Sequence, residues 1–277
     1  MGRIRGVLWA VFALLLGSVA YYGLRVEPDW IAVSHVTVDA RGVFDGLRGK
    51  TAVHLTDLHI VEFGNREARL LGILEGVEPD MIFLTGDYIE WQGDAAPALA
   101  FLGRLQAPGG VWAVMGDYDY SDDRQSCLFC HAPGSSAPTR AHGVRFLRNG
   151  GEWIGMGDSA VFIGGIDGQA FREFDGWPQF LDSNGNNAAI LLSHSPLVFD
   201  DMDGVRPMLV LAGDTHGGQV PLPGWLWGVL GYEKNARYNQ GWFEKGQSRM
   251  YVSRGVGTSH WPLRFLRRPE VVVLHFR

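Results

Sequence analysis

The chain has 277 residues, a length that suits one well-packed domain with a short leader better than two domains. Its net charge of −6 offers no basic surface of the kind that nucleic-acid-binding proteins carry. A chain of this charge attracts anionic substrates only where bound metal ions invert the local charge.

The first predicted element is a hydrophobic helix at the N-terminus. Arg3 and Arg5 precede GVLWAVFALLLGSVAYYGL, an uncharged run long enough to span a bilayer, for which about 20 residues are needed. The two arginines favour an N-terminus inside the cell and a domain outside the cytoplasm. A cleaved signal peptide is the alternative, because residues 18–20 resemble a small-residue cleavage site. Residues 1–25 are therefore predicted to be an anchor or signal segment, followed by one domain over 26–277.

Short apolar strands alternate with helices after this segment. A first strand is predicted at VSHVTVD, helices at 65–77 and 94–106, and later strands at AVFIGGID, SRMYVSR and EVVVLHF. Five further runs read as buried strands, and each ends in an acid or a histidine: TAVHLTD, MIFLTGD, VWAVMGD, AAILLSH and PMLVLAGD. The pattern predicts an α/β fold.

The polar residues at these strand ends predict a metal site. One aspartate after a strand is more often a turn or helix-cap residue. Here five strand ends carry a metal-binding side chain, and two histidines follow at the second position after an aspartate, so we expect a shared site at one sheet edge. The candidate ligands are Asp57, His59, Asp87, Asp117, His194, Asp214 and His216.

The same residues resemble the calcineurin-like metallophosphoesterases over roughly 45–277. Asp57-Leu58-His59 is similar to the family's D-x-H, residues 86–90 to its G-D-x-x-D, and His194 in SHSP to its fourth motif. Residues 116–119 stand where the family has G-N-H-D, and residues 213–219 where it has G-H-x-H-G-G-Q. The C-terminal stretch SRGVGTSHWPLRFLRRPEVVVL resembles the membrane-associated bacterial branch, which includes pyrophosphatases acting on UDP-2,3-diacylglucosamine.

The resemblance implies a four-layer α/β/β/α sandwich with two mixed sheets, in which 26–277 form a catalytic domain with a dinuclear metal site. The implied ligands of the first ion are Asp57, His59, Asp87 and His216. The implied ligands of the second ion are Asp87, Asp117, His194 and Asp214, with Asp87 bridging the two. Two such ions clamp a phosphate and activate a water for in-line attack.

Three departures from the family pattern fall near the second ion. Asp117 replaces an asparagine, Asp214 replaces a histidine, and Tyr118 replaces the histidine that contacts the phosphate. The four aspartates of the ligand set can neutralise both ions, which lowers the stabilisation of a phosphate transition state. This harder ligand set favours Mn²⁺, with Zn²⁺, Fe or Mg²⁺ as alternatives. The candidate catalytic residues are Tyr118, Asp119 and His260, the last as a substitute for the missing histidine.

A second feature is the loop over 121–142, which contains the chain's only two cysteines. Cys127, Cys130 and His131 form C-x-x-C-H, the attachment pattern of c-type haem. A local disulfide or plain thiols, and another metal bound through His131 or His142, are the alternatives. The surrounding sequence is rich in Ser, Pro and Gly and lacks the apolar helices that wrap a porphyrin, so haem is not favoured.

An apolar loop, VPLPGWLWGVLGY, follows the fifth motif and is interpreted either as a lipid-facing lip or as a buried loop. The sequence as a whole predicts a membrane-anchored, exported, metal-dependent hydrolase of a phosphoester or pyrophosphate bond in a lipid-linked or membrane-surface substrate. The alternatives are a non-catalytic or weakly active metal-binding descendant and a haem-carrying protein on the same scaffold.

Overall fold

The computed structural model describes residues 2–120, 129–130, 142–156, 159–166, 188–202 and 208–277. The α-helices of this part are α1 (Gly2–Tyr21), α2 (Asn65–Val77), α3 (Ala96–Leu102), α4 (Gly224–Val229) and α5 (Glu233–Arg237). The strands are β1 (Ala32–Val38), β2 (Thr51–Leu55), β3 (Met81–Leu84), β4 (Val111–Ala113), β5 (Arg145–Phe146), β6 (Gly150–Met156), β7 (Ser159–Ile166), β8 (Ala188–Ser193), β9 (Leu209–Ala212), β10 (Gly241–Lys245), β11 (Ser248–Val252) and β12 (Glu270–Phe276).

These strands form two six-stranded mixed sheets, as the sequence predicts. The first has the order β1-β12-β2-β3-β4-β5, and only the β12–β2 pair in it is antiparallel. The second has the order β10-β11-β9-β8-β7-β6, with antiparallel pairs at its two edges and parallel pairs between them. The parallel strands of each sheet end at the same edge, where ligands bind in α/β folds.

The two sheets pack face to face around an apolar core. Phe83 and Trp112 of the first sheet share this core with Ile190 and Leu211 of the second, and all four are fully buried. A second cluster lies between the first sheet and helices α2 and α3, and a third covers the far face of the second sheet. Central strands are therefore buried on both faces, which explains why they read as continuous apolar runs rather than alternating ones.

The structure refines several predicted elements. Helix α2 has the predicted bounds, whereas α3 begins at Ala96, behind an Asp94 carboxylate that accepts its backbone N–H, and ends before Gly103. Three strands, β5, β6 and β10, were not predicted. All three lie at sheet edges, where one side of the strand is exposed and no continuous apolar run is required. Part of the predicted apolar loop forms α4.

Helix α1 is exposed along its whole length. The helical run Gly2–Asp29 is long and apolar enough to cross a membrane, a test that a signal sequence near the N-terminus also passes. The end of this run packs against the folded domain. The backbone N–H of Arg264 donates to Gly23 O at 2.9 Å, and the buried Glu27 carboxylate accepts from the N–H groups of Leu266 and Arg267. The helix therefore leaves the domain at a fixed place, beside residues 263–267.

The inter-sheet core gives a direct stability prediction. Phe83→Ala removes a fully buried ring, and we expect it to lower the free energy of unfolding by about 3–5 kcal/mol. Val33→Ala, at a 38% exposed position of edge strand β1, should cost less than about 1 kcal/mol. Urea unfolding of the full chain in detergent micelles measures both. Equal losses for the two variants would contradict this description of the core.

Candidate metal centre

The strand ends of both sheets meet at one site. Backbone hydrogen bonds join the loops there: Asp57 N donates to Gly86 O at 2.9 Å, and Gly213 N donates to His194 O at 3.0 Å. The Asp214 N–H bridges the sheets, because it donates to both carboxylate oxygens of Asp57 at 3.1 Å. The candidate ligands therefore stand on loops that are fastened to each other.

Five of these residues have a left-handed backbone. The φ angles are 51° for Asp57, 43° for His59, 54° for Asp87, 74° for Asp214 and 51° for His216. Residues other than glycine rarely adopt this conformation, and it costs about 1–3 kcal/mol where it is strained. Such strain is concentrated at functional sites because the surrounding structure must enforce it. It marks the two D-x-H turns and Asp87 as a built site.

The first group of ligand atoms surrounds a space of the right size for one metal ion. His59 Nε2 and His216 Nε2 lie 3.2 Å apart, His216 Nε2 lies 3.6 Å from Asp57 Oδ1, and His59 Nε2 lies 3.7 Å from Asp87 Oδ2. Two ligands on one tetrahedral ion with bonds of about 2.1 Å are separated by about 3.4 Å. These side chains therefore fit a divalent ion.

The second group is centred on His194. Its Nε2 lies 3.4 Å from Asp87 Oδ2, 3.4 Å from Asp117 Oδ1 and 4.0 Å from Asp214 Oδ1. Its Nδ1 lies 2.8 Å from Thr85 O, which fixes the ring and leaves Nε2 to bind a metal. Asp57, Asp87 and His194 bring ligand atoms within 4.8 Å of one another, whereas the Asp117 side chain is 46% exposed at the outer side.

Burial and charge shift the protonation of these groups. Burial raises the pKa of Asp57 to about 7, lowers the pKa of His59 to about 4 and lowers that of His216 well below its ordinary value. Burial also lowers the pKa of His194, but the charges of Asp87 and Asp214 outweigh it and raise that pKa well above the usual range. A metal ion bound here would replace the proton that the raised pKa of Asp57 favours.

Two motif glycines allow the loops to close around the ligands. A Cβ at position 116 would overlap the Asp87 carboxylate, and a Cβ at position 213 would overlap Thr56 and crowd Asp57. At these two positions the backbone lies so close to the carboxylates that only glycine, which has no Cβ, fits. This tight cradle supports the fit of the site to metal ions.

Asp119, a predicted catalytic residue, is fully buried behind the ligands. Its carboxylate accepts the backbone N–H groups of Asp87 and Tyr88, each at 2.7 Å, and of Gly116 at 2.8 Å. Burial raises its pKa to about 8. These contacts join the loop after β3, which carries Asp87, to the loop after β4, which carries Asp119. They hold Asp87 in place.

Tyr118 and His260, the other predicted catalytic residues, lie at the opening. Both line a cavity of about 690 Å³ that also reaches Asp87, Asp117 and Asp214. The Tyr118 ring packs edge-on against His59 with centroids 5.3 Å apart. His260 is exposed, and its Nδ1 lies 2.6 Å from Ser259 Oγ. Their catalytic roles stay predictions.

The predicted haem motif is described only at Cys130. Cys127 and His131 lie outside the described residues. Cys130 is disulfide-bonded, and a sulfur in a disulfide cannot also form a thioether to haem. The alternative ligand His142 has both ring nitrogens engaged, at 3.0 Å from Phe129 O and 3.2 Å from Val144 N. The described part of this loop favours the disulfide.

Two residues of the site were missed by sequence reasoning: Lys234 lies in none of the five motifs, and Arg264 lies in the C-terminal stretch SRGVGTSHWPLRFLRRPEVVVL without a predicted role. Lys234 on α5 contacts Asp214 Oδ2, and although burial lowers the pKa of this lysine, the charge of Asp214 outweighs it and raises the pKa. Arg264 is fully buried, donates to backbone carbonyls at 254 and 257, and has Nη2 3.4 Å from His216 Nδ1. No spacing rule connects either residue to the strand ends, so only the tertiary structure reveals them.

Asp119→Asn tests the positioning role of the buried carboxylate. An asparagine offers one acceptor oxygen in place of two, so one of the three N–H groups loses its partner and Asp87 is held less firmly. We expect the affinity for Mn²⁺ to fall by about 10–100-fold. Titration of the metal-free chain with Mn²⁺ measures it. Asp94→Asn, which alters an exposed helix-start acceptor instead, should leave the affinity unchanged; equal losses in both variants would refute the role.

Comparisons with known proteins agree with this geometry. A family model described as calcineurin-like phosphoesterase matches residues 50–218. The chain is 29% identical to the metallophosphoesterase YkuE of Bacillus subtilis, over 95% of this chain and 92% of that one. It is 28% identical to a metallophosphoesterase of Aquifex aeolicus, over 95% and 96%. It is 25% identical to UDP-2,3-diacylglucosamine pyrophosphatase LpxG of Chlamydia trachomatis, over 90% of each.

The family match covers more than half of the chain and includes all seven predicted metal ligands. The family uses divalent metal ions, and two groups of buried acids and histidines among the described residues could hold a metal ion. The chain therefore belongs to the calcineurin-like phosphoesterases and is, by family, a metal-dependent phosphoester hydrolase.

Proposed function

We propose that this chain is a membrane-anchored hydrolase that uses a dinuclear metal site to cleave a phosphoester or pyrophosphate bond in a lipid-linked or membrane-surface substrate. The observation that carries the proposal is the attachment of the N-terminal helix to the wall of the metal-site cavity. An anchor at this place keeps the cavity opening close to the bilayer.

The attachment runs through a short series of hydrogen bonds. Arg264 N donates to Gly23 O at 2.9 Å, and the next residue, Phe265, donates its N–H to Gln219 O at 2.8 Å. The Gln219 side chain in turn bonds the backbone of Ser259, donating at 3.1 Å and accepting at 2.9 Å. Gln219 and Ser259 both line the cavity. Two contacts therefore separate the membrane helix from the cavity wall.

Exposed apolar side chains lie at the same cavity and on the short helix beside it. We call this set the apolar rim: Leu230, Tyr232 and Trp261 line the cavity, Trp225 and Val229 belong to the adjoining α4, and all five are more than half exposed. Trp227, from the same stretch of sequence, instead packs inward beside Gly218. Large exposed apolar groups in one area mark a binding surface, and aromatic residues of this type suit a membrane interface. The rim is placed to contact the acyl or prenyl part of a lipid-linked substrate.

The donor set supports two divalent ions, with Mn²⁺ preferred for its carboxylate-rich second group. The first ion would be held by Asp57, His59, Asp87 and His216, and the second by Asp87, Asp117, His194 and Asp214. When bound, the two ions supply Lewis-acid stabilisation of the phosphate and activation of the attacking water.

Residues around the ions complete the proposed chemistry. Asp119 holds Asp87 through backbone N–H groups. Burial raises the pKa of Tyr118, so its phenol stays protonated and acts as a hydrogen-bond donor to a substrate oxygen rather than as an acid. His260 is exposed at the opening, where it can deliver a proton to the leaving group.

The relative LpxG supports the substrate class. Its name states that it cleaves the pyrophosphate of UDP-2,3-diacylglucosamine, a diacylated sugar nucleotide. A pyrophosphate bearing acyl chains matches both the metal centre and the apolar rim. Arg3 and Arg5, ahead of the helix, favour an extracytoplasmic domain under the positive-inside rule. UDP-2,3-diacylglucosamine itself is expected on the cytoplasmic side, so it is a weaker candidate than another lipid-linked phosphate or pyrophosphate in the outer leaflet.

Hydrolysis should depend on Asp87, which contributes to both ligand groups. For the full chain in detergent micelles with Mn²⁺, Asp87→Asn should lower kcat/KM by about 10³-fold, since the ions contribute several kcal/mol of transition-state stabilisation. A chelator should abolish activity and added Mn²⁺ should restore it. Asp45→Asn, an exposed carboxylate paired with Arg48, is the matched control and should keep full activity.

Other outcomes identify the alternatives. Bound metal without turnover of soluble or lipidated phosphoesters and pyrophosphates identifies a metal-binding descendant that has lost catalysis. Iron that survives Asp87→Asn, together with a Soret absorbance in protein made with cytochrome c maturation, identifies haem on the cysteine loop. Either result contradicts the proposed hydrolase.

The apolar rim predicts a preference for lipidated substrates. Trp261→Ser, at a residue that is 74% exposed and lines the cavity, should lower kcat/KM for a diacylated nucleotide sugar by about tenfold, the effect of losing roughly 1.4 kcal/mol of apolar contact. Cleavage of the same nucleotide sugar without acyl chains should stay within twofold. Trp153→Ser, on edge strand β6 of the second sheet, is the control and should change neither rate. Equal losses on both substrates would show that the rim does not bind lipid.

A further inference from the structure

Lys234 stands where no motif of the family places a cation. It belongs to α5, and α5 is fixed to the fifth motif by the next residue: the buried Asn235 side chain donates to Thr215 O at 2.7 Å. Thr215 lies between Asp214 and His216, and its hydroxyl donates to Asn239 O at 2.6 Å. The helix therefore holds Lys234 in a defined position over the metal centre.

The ammonium of Lys234 contacts Asp214 directly. Its Nζ pairs with Asp214 Oδ2, and the other oxygen of the same carboxylate, Oδ1, faces His194 Nε2 at 4.0 Å. The Asp214 side chain is 12% exposed and the Lys234 side chain 37% exposed, so water screens the pair only in part. Among the described residues that line the cavity, Lys234 is the only lysine or arginine.

A second metal ion and this ammonium require the same carboxylate. The ligand set proposed for that ion is Asp87, Asp117, His194 and Asp214, and Lys234 lines one cavity with all three of these acids. A divalent ion among them would meet a positive charge already bound at Asp214. Like charges at such short range repel strongly where solvent is limited. The first ion has no such competitor among the described residues, because neither Asp57 nor Asp87 forms an ion pair with a lysine or an arginine. The nearby Arg264 contacts His216 at its outer nitrogen Nδ1, not at the Nε2 that faces the other ligands.

We propose that Lys234 is a built-in competitor of the second metal ion, which makes the two metal sites unequal: the first ion binds tightly, and the second binds weakly because it must displace the ammonium from Asp214. The inference rests on the assignment of the second ligand group in the proposed function. The proposal also explains why an aspartate stands at position 214, where the family has a neutral histidine. The Asp214 carboxylate binds either the second ion or the Lys234 ammonium. When the second ion is bound, the displaced ammonium remains beside the cavity and adds positive charge near a substrate phosphate.

The test counts ions rather than turnover. The full chain in detergent micelles, stripped of metal, is titrated with Mn²⁺ while electron paramagnetic resonance reports free Mn²⁺ and the coupled signal of a Mn²⁺ pair. The wild type should bind two ions with Kd values at least 100-fold apart. Lys234→Met should tighten the weaker Kd by tenfold or more, leave the tighter Kd within threefold, and produce the coupled signal at lower Mn²⁺ concentration.

Two control variants separate the specific contact from its general effects. Lys234→Arg keeps the charge and should leave the second ion weak. Lys50→Met removes a lysine from a comparable ion pair with Asp80, at 2.9 Å and distant in the fold, and should change neither Kd. The proposal is overturned if Lys234→Met leaves the weaker Kd unchanged or weakens it, if the wild type binds both ions equally, or if neither protein binds a second ion. Because ion binding is the readout, the experiment tests the role of Lys234 even if the chain hydrolyses no substrate. Absence of hydrolysis would contradict the proposed function but not the competition between Lys234 and the second ion.

Discussion

The arrangement of the loops depends on one cluster of buried acids and imidazoles, which lies where the strand ends of the two sheets meet. Asp57 and Asp119 are fully buried, and Asp87, His59, His194 and His216 are nearly so. Charged groups in such a place are unfavourable unless a cation or a proton compensates them. In the metal-free chain, burial raises the pKa of Asp57 and of Asp119, which favours the protonated, neutral form of each carboxyl. The burial of these charged groups and the left-handed conformation of five ligand residues are both unfavourable. They are maintained because every ligand loop is joined to another loop by a backbone hydrogen bond or by a buried carboxylate.

The two halves of the centre differ in how they balance charge. The first group has two neutral imidazoles and two carboxylates, so one divalent ion neutralises it. The second group adds the carboxylates of Asp117 and Asp214, because Asp87 is already counted in the first group, so a second divalent ion would neutralise it. In the metal-free chain, Lys234 balances one of these two carboxylates through Asp214. Replacing a neutral histidine ligand with an aspartate therefore changes more than one ligand, since it creates a site for a lysine that the family pattern does not contain.

The sequence predicted the central strands and the polar residues after them better than the edge strands, for a physical reason. Central strands are buried on both faces, so each leaves a continuous apolar run, and the polar residue after it stands out. Edge strands such as β5, β6 and β10 have one exposed side and leave no such pattern. The bounds of α3 depend on the Asp94 side chain before it and on Gly103 after it. The spacing of apolar residues does not indicate where these local contacts begin and end the helix. Lys234 and Arg264 could not be found at all, because their roles arise from the packing of a short helix and an irregular loop against the strand ends.

Arg264 connects the candidate metal centre to the N-terminal helical run. Its side chain is buried against the backbone carbonyls of the loop over 254–257 and reaches the outer nitrogen of His216, while its backbone N–H binds Gly23 at the end of the helical run. A buried guanidinium cannot move independently of the carbonyls it binds, because each unpaired donor would cost free energy. Arg264 therefore contacts both His216 and the helical run, and the Glu27 carboxylate holds the same run through the N–H groups of Leu266 and Arg267. In the proposed hydrolase of a lipid-linked phosphate, these contacts would hold the metal ions at a constant height above the bilayer without adding a ligand to the site.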